Sequence, residues 1–292
     1  MTGTATIVPG EHVDYEAARG LLGRLLGATP NDADAVGAQA LAQLAPQFAE
    51  PVTTPTDDIK ALVIGALREH SNNLPRSQQA SIGASEAGTP CTRRLGYRML
   101  GVAKTNTDTD PYPSMVGTAF HATLDTVFSH AKWGGRFLTE LLVEIRPGMP
   151  SRLDCYDQLE QRLIDWKILG TTSLKAIASE GPGPEYRIQQ HLYGLGLANR
   201  LGHGPKTVNL VCFPRGGMLS GLHVWSEPWD EQVARDALAR LDNIAVALAQ
   251  LDIEATPANW QYLPTADAHC TWCSWFLPNS DDLSRGCPGH QA

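Results

Sequence analysis

Two short apolar runs near the middle of the chain, Leu153 to Tyr156 and Leu163 to Ile168, constrain the fold more than any other feature. Each has strand length and composition, each is interrupted by an acid, and they are close enough in sequence to pair. The first carries Asp154, inside Arg152-Leu153-Asp154; the second carries Asp165-Trp166-Lys167, eleven residues on. On a strand, side chains two apart leave the same face, so Asp165 and Lys167 project together. Carboxylates on neighbouring rigid strands can hold a hard divalent cation. A lysine beside them can orient a water or stabilise developing negative charge. That combination points to phosphodiester cleavage. The bland alternative is a turn aspartate followed by a surface ion pair, and the Asp-x-Lys triplet alone would not exclude it.

The surrounding pattern predicts an α/β (α+β) architecture. A helix is expected over Ile59 to Glu69, and a second from a Ser85 cap through Glu86 toward Cys91 and Tyr97. A third runs from Met115 to His130, with Phe120, Leu124, Val127 and Phe128 apolar and Gly117 and His121 four residues apart on the same side. Strands are expected at Leu138 to Ile145 and at Val208 to Phe213, before and after the acidic pair. A helix is expected between the last two strands, at Glu185 to Leu201, and a final long one at Asp230 to Leu251. The order of elements implies a sheet with helices packed on it. Residues 1-58 read as an acidic helical extension, Tyr15 to Leu26 and Ala33 to Leu44, ending in a Pro/Thr-rich linker; residues 59-292 read as the main domain.

A net charge of -8 argues against a nucleic-acid partner until its distribution is considered. Residues 1-58 contain eight acidic and two basic side chains, so three quarters of the net charge lies there. In the nearly neutral remainder Arg93, Arg94, Arg98 and Lys104 form a local basic group that could face a phosphate backbone. A solvated helix face is the alternative. No apolar run is long enough to span a bilayer, and the first ten residues lack the pattern of a secretory signal. A cytoplasmic location is therefore expected, that of a host if the gene is a phage's. In a reducing compartment the six cysteines favour metal binding over disulfides. Cys270-x-x-Cys273 can place two thiolates on one ion, and Cys91 and Cys287 can complete a four-cysteine site that zinc would also suit. Cys155 and Cys212 sit in apolar runs and read as buried small hydrophobes.

Four ordered pieces, Gly117-x-x-x-His121, Asp154, Asp165-x-Lys167 and Gln189-x-x-x-Tyr193, resemble the RecB-like branch of the PD-(D/E)XK nuclease superfamily. The segment Ile82 to Tyr97 around Cys91, with Cys270, Cys273 and Cys287, looks like its iron-sulfur subset, typified by CRISPR-associated Cas-four exonucleases and phage relatives. The resemblance covers about residues 59 to 288. It implies a restriction-endonuclease-like central mixed sheet flanked by helices, with a helical subdomain stapled by a [4Fe-4S] cluster on Cys91, Cys270, Cys273 and Cys287. It implies Mn2+ or Mg2+ on His121, Asp154, Asp165 and the Trp166 carbonyl, with Lys167 as catalytic lysine. Gln189 and Tyr193 would line the DNA path, and the local basic group adds Arg93 and Arg94 as expected DNA contacts. The implied activity is exonucleolytic attack on free DNA ends in recombination or repair, with a single-strand annealing recombination protein as a candidate partner. An endonuclease or CRISPR spacer-processing nuclease of the same fold is the first alternative, and an inactive DNA-binding iron-sulfur or zinc protein is the second.

Overall fold

The computed structural model describes residues 55-73, 82-107 and 110-290. The N-terminal helices expected before residue 45 lie outside the described residues. The chain divides between Gly65 and Ala66 into two units, and the first helix, α1 (Pro55–Asn72), contains that division.

The second unit is built on a five-stranded mixed sheet, β1 (Phe137–Glu144), β2 (Pro150–Asp157), β3 (Arg162–Leu169), β4 (Thr207–Pro214) and β5 (His223–Pro228), ordered as in the sequence. All neighbours are antiparallel except β3 and β4. That parallel pair needs a crossover, and two helices supply it: α5 (Thr171–Glu180) and α6 (Pro184–Leu201). Before the sheet come α2 (Ala84–Ala87), α3 (Thr92–Met99) and α4 (Tyr112–Phe128); after it comes α7 (Glu231–Gln250). Among the described residues no helix is long and apolar enough to cross a membrane.

The two faces of the sheet bury different clusters. On one, Leu153, Tyr156, Leu163 and Val208 pack with Leu192, Leu195 and Leu197 of α6 and with Ala234, Ala237, Leu241 and Ile244 of α7. On the other, Cys155, Trp166 and Phe213 meet Phe120, Leu124 and Phe128 of α4. Each fully buried leucine contributes about 1.5–3 kcal/mol of transfer free energy, so the paired clusters fix the sheet between its helices. Cys155 belongs to the second of these clusters and Cys212 to a third, with Leu169, Ile177 and Leu210; both are inaccessible, as expected of small hydrophobes.

Helix α6 is held close by glycines and by a polar anchor. A methyl on Gly194 would overlap the Trp229 indole, as would one on Gly204, so the ring is clasped between the two. His191, wholly buried, accepts the Asp230 N–H at Nδ1 (3.1 Å) and therefore presents Nε2–H to the Glu227 carboxylate (2.5 Å). Arg187 pairs with the same carboxylate at 2.7 Å.

Sequence expectation and structure differ in three places. The helix expected from Ser85 through Tyr97 is two short helices, because Pro90 and the Cys91 backbone, in an extended conformation, break it; Gly83, not Ser85, caps the first. Helix α5 and strand β5 were not expected. The former buries Ile177 alone, and the latter is an edge strand with every second side chain outward, so neither has a strong apolar signature.

Candidate active site

The site forms where the sheet opens. The β2–β3 ladder runs through Asp157↔Arg162, Tyr156↔Leu163 and Cys155↔Ile164, and stops there. The next pair would be Asp154 with Asp165. Instead the Asp154 carboxylate takes the place of a backbone acceptor: the Trp166 N–H donates to its Oδ2 at 2.8 Å. A buried donor without a partner costs about 1–3 kcal/mol, so the aspartate holds the gap open while satisfying the strand it has left.

Strand alternation then sorts the neighbours of Trp166. Its indole turns into the α4 face, stacked near Phe128 (ring centroids 5.2 Å apart), while Asp165 and Lys167 turn to the α6 face as expected. The Lys167 ammonium is ion-paired with Asp165 Oδ2. Asp165 is only 1% exposed, and its second oxygen, Oδ1, has no protein partner. From α4, one turn beyond Gly117, His121 brings Nε2 to 3.1 Å from the Trp166 carbonyl and Nδ1 to 3.4 Å from Asp154 Oδ1. A methyl on Gly117 would meet nothing among the described residues, so helix packing does not require this glycine.

Electrostatics follow from crowding two carboxylates, Asp154 and Asp165, an imidazole and an ammonium. Burial pushes the Asp165 carboxyl up to about 6, against the pull of Lys167. Burial works to lower Lys167, but the charges of Asp165 and Asp154 outweigh it and hold the ammonium above its ordinary value. His121 follows the same rule: burial opposes its charge, and the Asp154 carboxylate more than restores it.

Two residues join the site that sequence patterns did not single out. Tyr186 lies one helical turn before Gln189 on α6, and its ring covers the Lys167 ammonium at 5.3 Å. Its signal was present, since Tyr186, Gln189 and Tyr193 share one helix face. Glu140 lies on β1 at the position opposite Asp154, between the pairs Thr139↔Cys155 and Leu141↔Leu153. Its backbone takes a left-handed φ of 49°, rare for a residue with a side chain. One ligand atom each from His121, Glu140 and Asp154 lie within 4.8 Å of one another. Nothing in the sequence announces that register.

Other expected site residues are placed differently. Gln189 and Tyr193 are 5% and 8% exposed, and the Gln189 amide donates to the Tyr193 hydroxyl at 2.8 Å. Tyr193 lies near enough to Asp165 and Lys167 to feel their charges, and burial raises its phenol to about 12. The basic group on α3 is divided among internal partners. Arg93 is buried, donating to the Leu263 carbonyl (3.2 Å) and to Cys287 Sγ (3.6 Å). Arg94 pairs with Glu185 (3.9 Å) and Arg98 with Glu86 (3.2 Å). Arg93 as a DNA contact is therefore corrected: a guanidinium spent on a carbonyl and a thiol inside the protein does not face a phosphate backbone.

Cys91, Cys270, Cys273 and Cys287 line one cavity, so the structure gathers the four cysteines that sequence places at the two ends of the domain. All four are unpaired thiols. The His290 N–H donates to Cys270 Sγ at 3.3 Å, and Arg93 reaches Cys287 Sγ. A parallel bridge between Phe276 and Cys287 closes the segment.

No family model matches the chain, and no curated protein matches it in sequence. Among solved structures, the alkaline exonuclease LHK-Exo of Laribacter hongkongensis is similar with TM-score 0.43 at 14% identity, over 64% of this chain and 96% of that one. The same protein in complex with dAMP gives 0.38 at 13%, over 61% and 93%. A phage-related exonuclease from Haemophilus somnus 129PT gives 0.40 at 13% identity, over 56% and 82%.

Proposed function

We propose that this chain is a metal-dependent deoxyribonuclease of the RecB-like PD-(D/E)XK type, acting as an exonuclease on free DNA ends. The observation that carries the reading is the opening between β2 and β3. It brings His121, Asp154, Asp165, the Trp166 carbonyl and Lys167 together, with Asp165 Oδ1 buried and unpartnered. Hard oxygen donors with one imidazole suit Mn2+ or Mg2+, and an orphaned carboxylate oxygen is what an absent cation would leave. His121, Asp154, Asp165 and the Trp166 carbonyl would hold the ion. When bound, it polarises a phosphoryl oxygen and lowers the pKa of attacking water.

The side chains do the rest. Asp154 fixes the spacing of the strands through the Trp166 N–H. Lys167, held by Asp165 and covered by the Tyr186 ring, keeps its proton and offers it to a phosphate oxygen or the attacking water. Buried Tyr193, held by Gln189, lies within electrostatic reach of that pair, so an effect of these two residues on DNA would run through Lys167. DNA degraded from its ends fits recombination or repair, with a single-strand annealing protein as the partner that would take up the remaining strand.

The four cysteines are assigned to a [4Fe-4S] cluster, with zinc as the rival occupant. The gathered thiols, with the Arg93 guanidinium and a backbone N–H directed at two sulfurs, fit a group that leaves net negative charge on its thiolates. Its role is to join the domain's two ends.

The test is cleavage of linear and covalently closed circular DNA with Mn2+ or Mg2+ and with chelator. Wild-type protein should degrade the linear form progressively and spare the circle. Asp165→Asn and Lys167→Ala should be folded and inactive. Equal loss of both substrates would indicate an endonuclease, and cleavage by either folded variant would overturn the site.

A further inference from the structure

We propose that Glu140 is a ligand of the divalent cation, joining His121 and Asp154 on the β1 side of the cleft. The inference rests on the metal-site reading above and adds to it a residue that no sequence motif marks. Three side chains from three elements converge there: His121 from α4, Asp154 from β2 and Glu140 from β1, with one ligand atom each inside 4.8 Å. These are hard or borderline donors of the kinds Mn2+ and Mg2+ accept. A second observation points to the same ion. The neighbouring Asp165, 1% exposed and ion-paired with Lys167 through Oδ2, has in Oδ1 a buried oxygen with no partner in the protein, which a cation held by its neighbour Asp154 would satisfy.

The charge balance supports the placement. Lys167 is engaged by Asp165, and the nearest cation to the Glu140 carboxylate is Arg152, whose Nε lies 3.7 Å from Oε2. Arg152 is half exposed and also donates to the Glu140 carbonyl at 3.1 Å, so it braces the β1 backbone as much as it neutralises the carboxylate. Glu140 and Asp154 thus lie opposite each other across the strand pair, with a His121 nitrogen within 4.8 Å of both. A dication on the three relieves that repulsion in a way a surface arginine does not. The local fold serves the arrangement: Glu140 adopts a left-handed backbone at the register position of Asp154, and the preceding Thr139 hydroxyl is hydrogen-bonded to Asp125 of α4, tying β1 to the helix that carries His121.

The rival reading is an exposed Glu140–Arg152 ion pair with no ligand role. Direct Mn2+ binding separates the two, followed by the electron paramagnetic resonance of free Mn2+ in full-length, chelator-stripped protein without DNA. The variants are Glu140→Gln, Asp154→Asn and, as a control from the β2–β3 turn, Glu160→Gln. The Glu140 carboxylate has only the long Arg152 contact and is over a third exposed, so the amide should fold as wild type does. Wild type and Glu160→Gln should bind alike, Asp154→Asn should lose binding, and Glu140→Gln should bind at least about tenfold more weakly. Unchanged affinity in Glu140→Gln beside lost binding in Asp154→Asn would overturn the Glu140 assignment and leave the metal site standing. Absence of any Mn2+ binding that depends on Asp154 would overturn both.

Discussion

Replacing Asp154 separates the two roles the structure gives it. Its carboxylate accepts the Trp166 N–H at 2.8 Å and faces His121 at 3.4 Å, with its side chain 12% exposed. Asp154→Ala removes the acceptor and leaves a donor in the opened ladder, which costs about 1.5–3 kcal/mol for a hydrogen bond to a charged group. For a unit of this size each kcal/mol lowers Tm by about 2–4 °C, so a fall on the order of 5 °C is expected without metal. Asp154→Asn keeps an acceptor at the same place and relieves repulsion with Asp165 and Glu140. Its metal-free stability should match or exceed wild type. Added Mn2+ then isolates the ligand role, because at a hundredfold excess over Kd a ligand stabilises by about 2.7 kcal/mol. Wild type should gain that increment and Asp154→Asn should not. Thermal and urea unfolding of the three proteins with and without Mn2+ read these numbers. Equal metal-free stability of the alanine and asparagine variants would refute the strand-holding role, and Mn2+ stabilisation of Asp154→Asn would refute the ligand role.

Gly194→Ala should destabilise by about 1–3 kcal/mol or prevent folding, since its methyl overlaps a Trp229 ring that Gly204 already bounds on its other side; thermal unfolding measures it. Asp157 accepts two hydrogen bonds from Arg136 (2.8 and 2.6 Å), which, helped by the Glu160 and Leu159 N–H groups against the effect of burial, hold its carboxyl below the usual range. Its folded pKa is thus lower than the unfolded value of about 3.9, so its contribution is complete above that pH and is lost as pH falls through the folded value. Asp157→Asn should accordingly be less stable at pH 6 and show a shallower acid loss below about pH 4 in urea titrations. The native protein should be brown with broad visible absorption, and replacing Cys91, Cys270, Cys273 or Cys287 by serine should bleach and destabilise it, while Cys155→Ser and Cys212→Ser keep the colour. A colourless native protein with stoichiometric zinc would refute the cluster.

Local pattern alone determined several features of this protein. Strand periodicity fixes Asp165 and Lys167 on one face, helical periodicity aligns Tyr186, Gln189 and Tyr193, and the apolar stripes of α4, α6 and α7 locate three helices, because each depends on a few neighbouring residues and an element's repeat. Tertiary structure decided what depends on distant partners. Asp154 becomes a strand spacer only because β2 parts from β3 beside it, and Glu140 meets Asp154 only through the β1–β2 register, which no motif encodes. Arg93 turns inward because Leu263 and Cys287, some 170 and 194 residues away, offer it acceptors, whereas its helix alone leaves it looking like a surface cation. Strand β5 and helix α5 stay faint in the sequence for a related reason: both are half-exposed, and the core that fixes them belongs mostly to other elements. Periodicity is a property of a segment; the gap, the register and the buried guanidinium are properties of how segments meet.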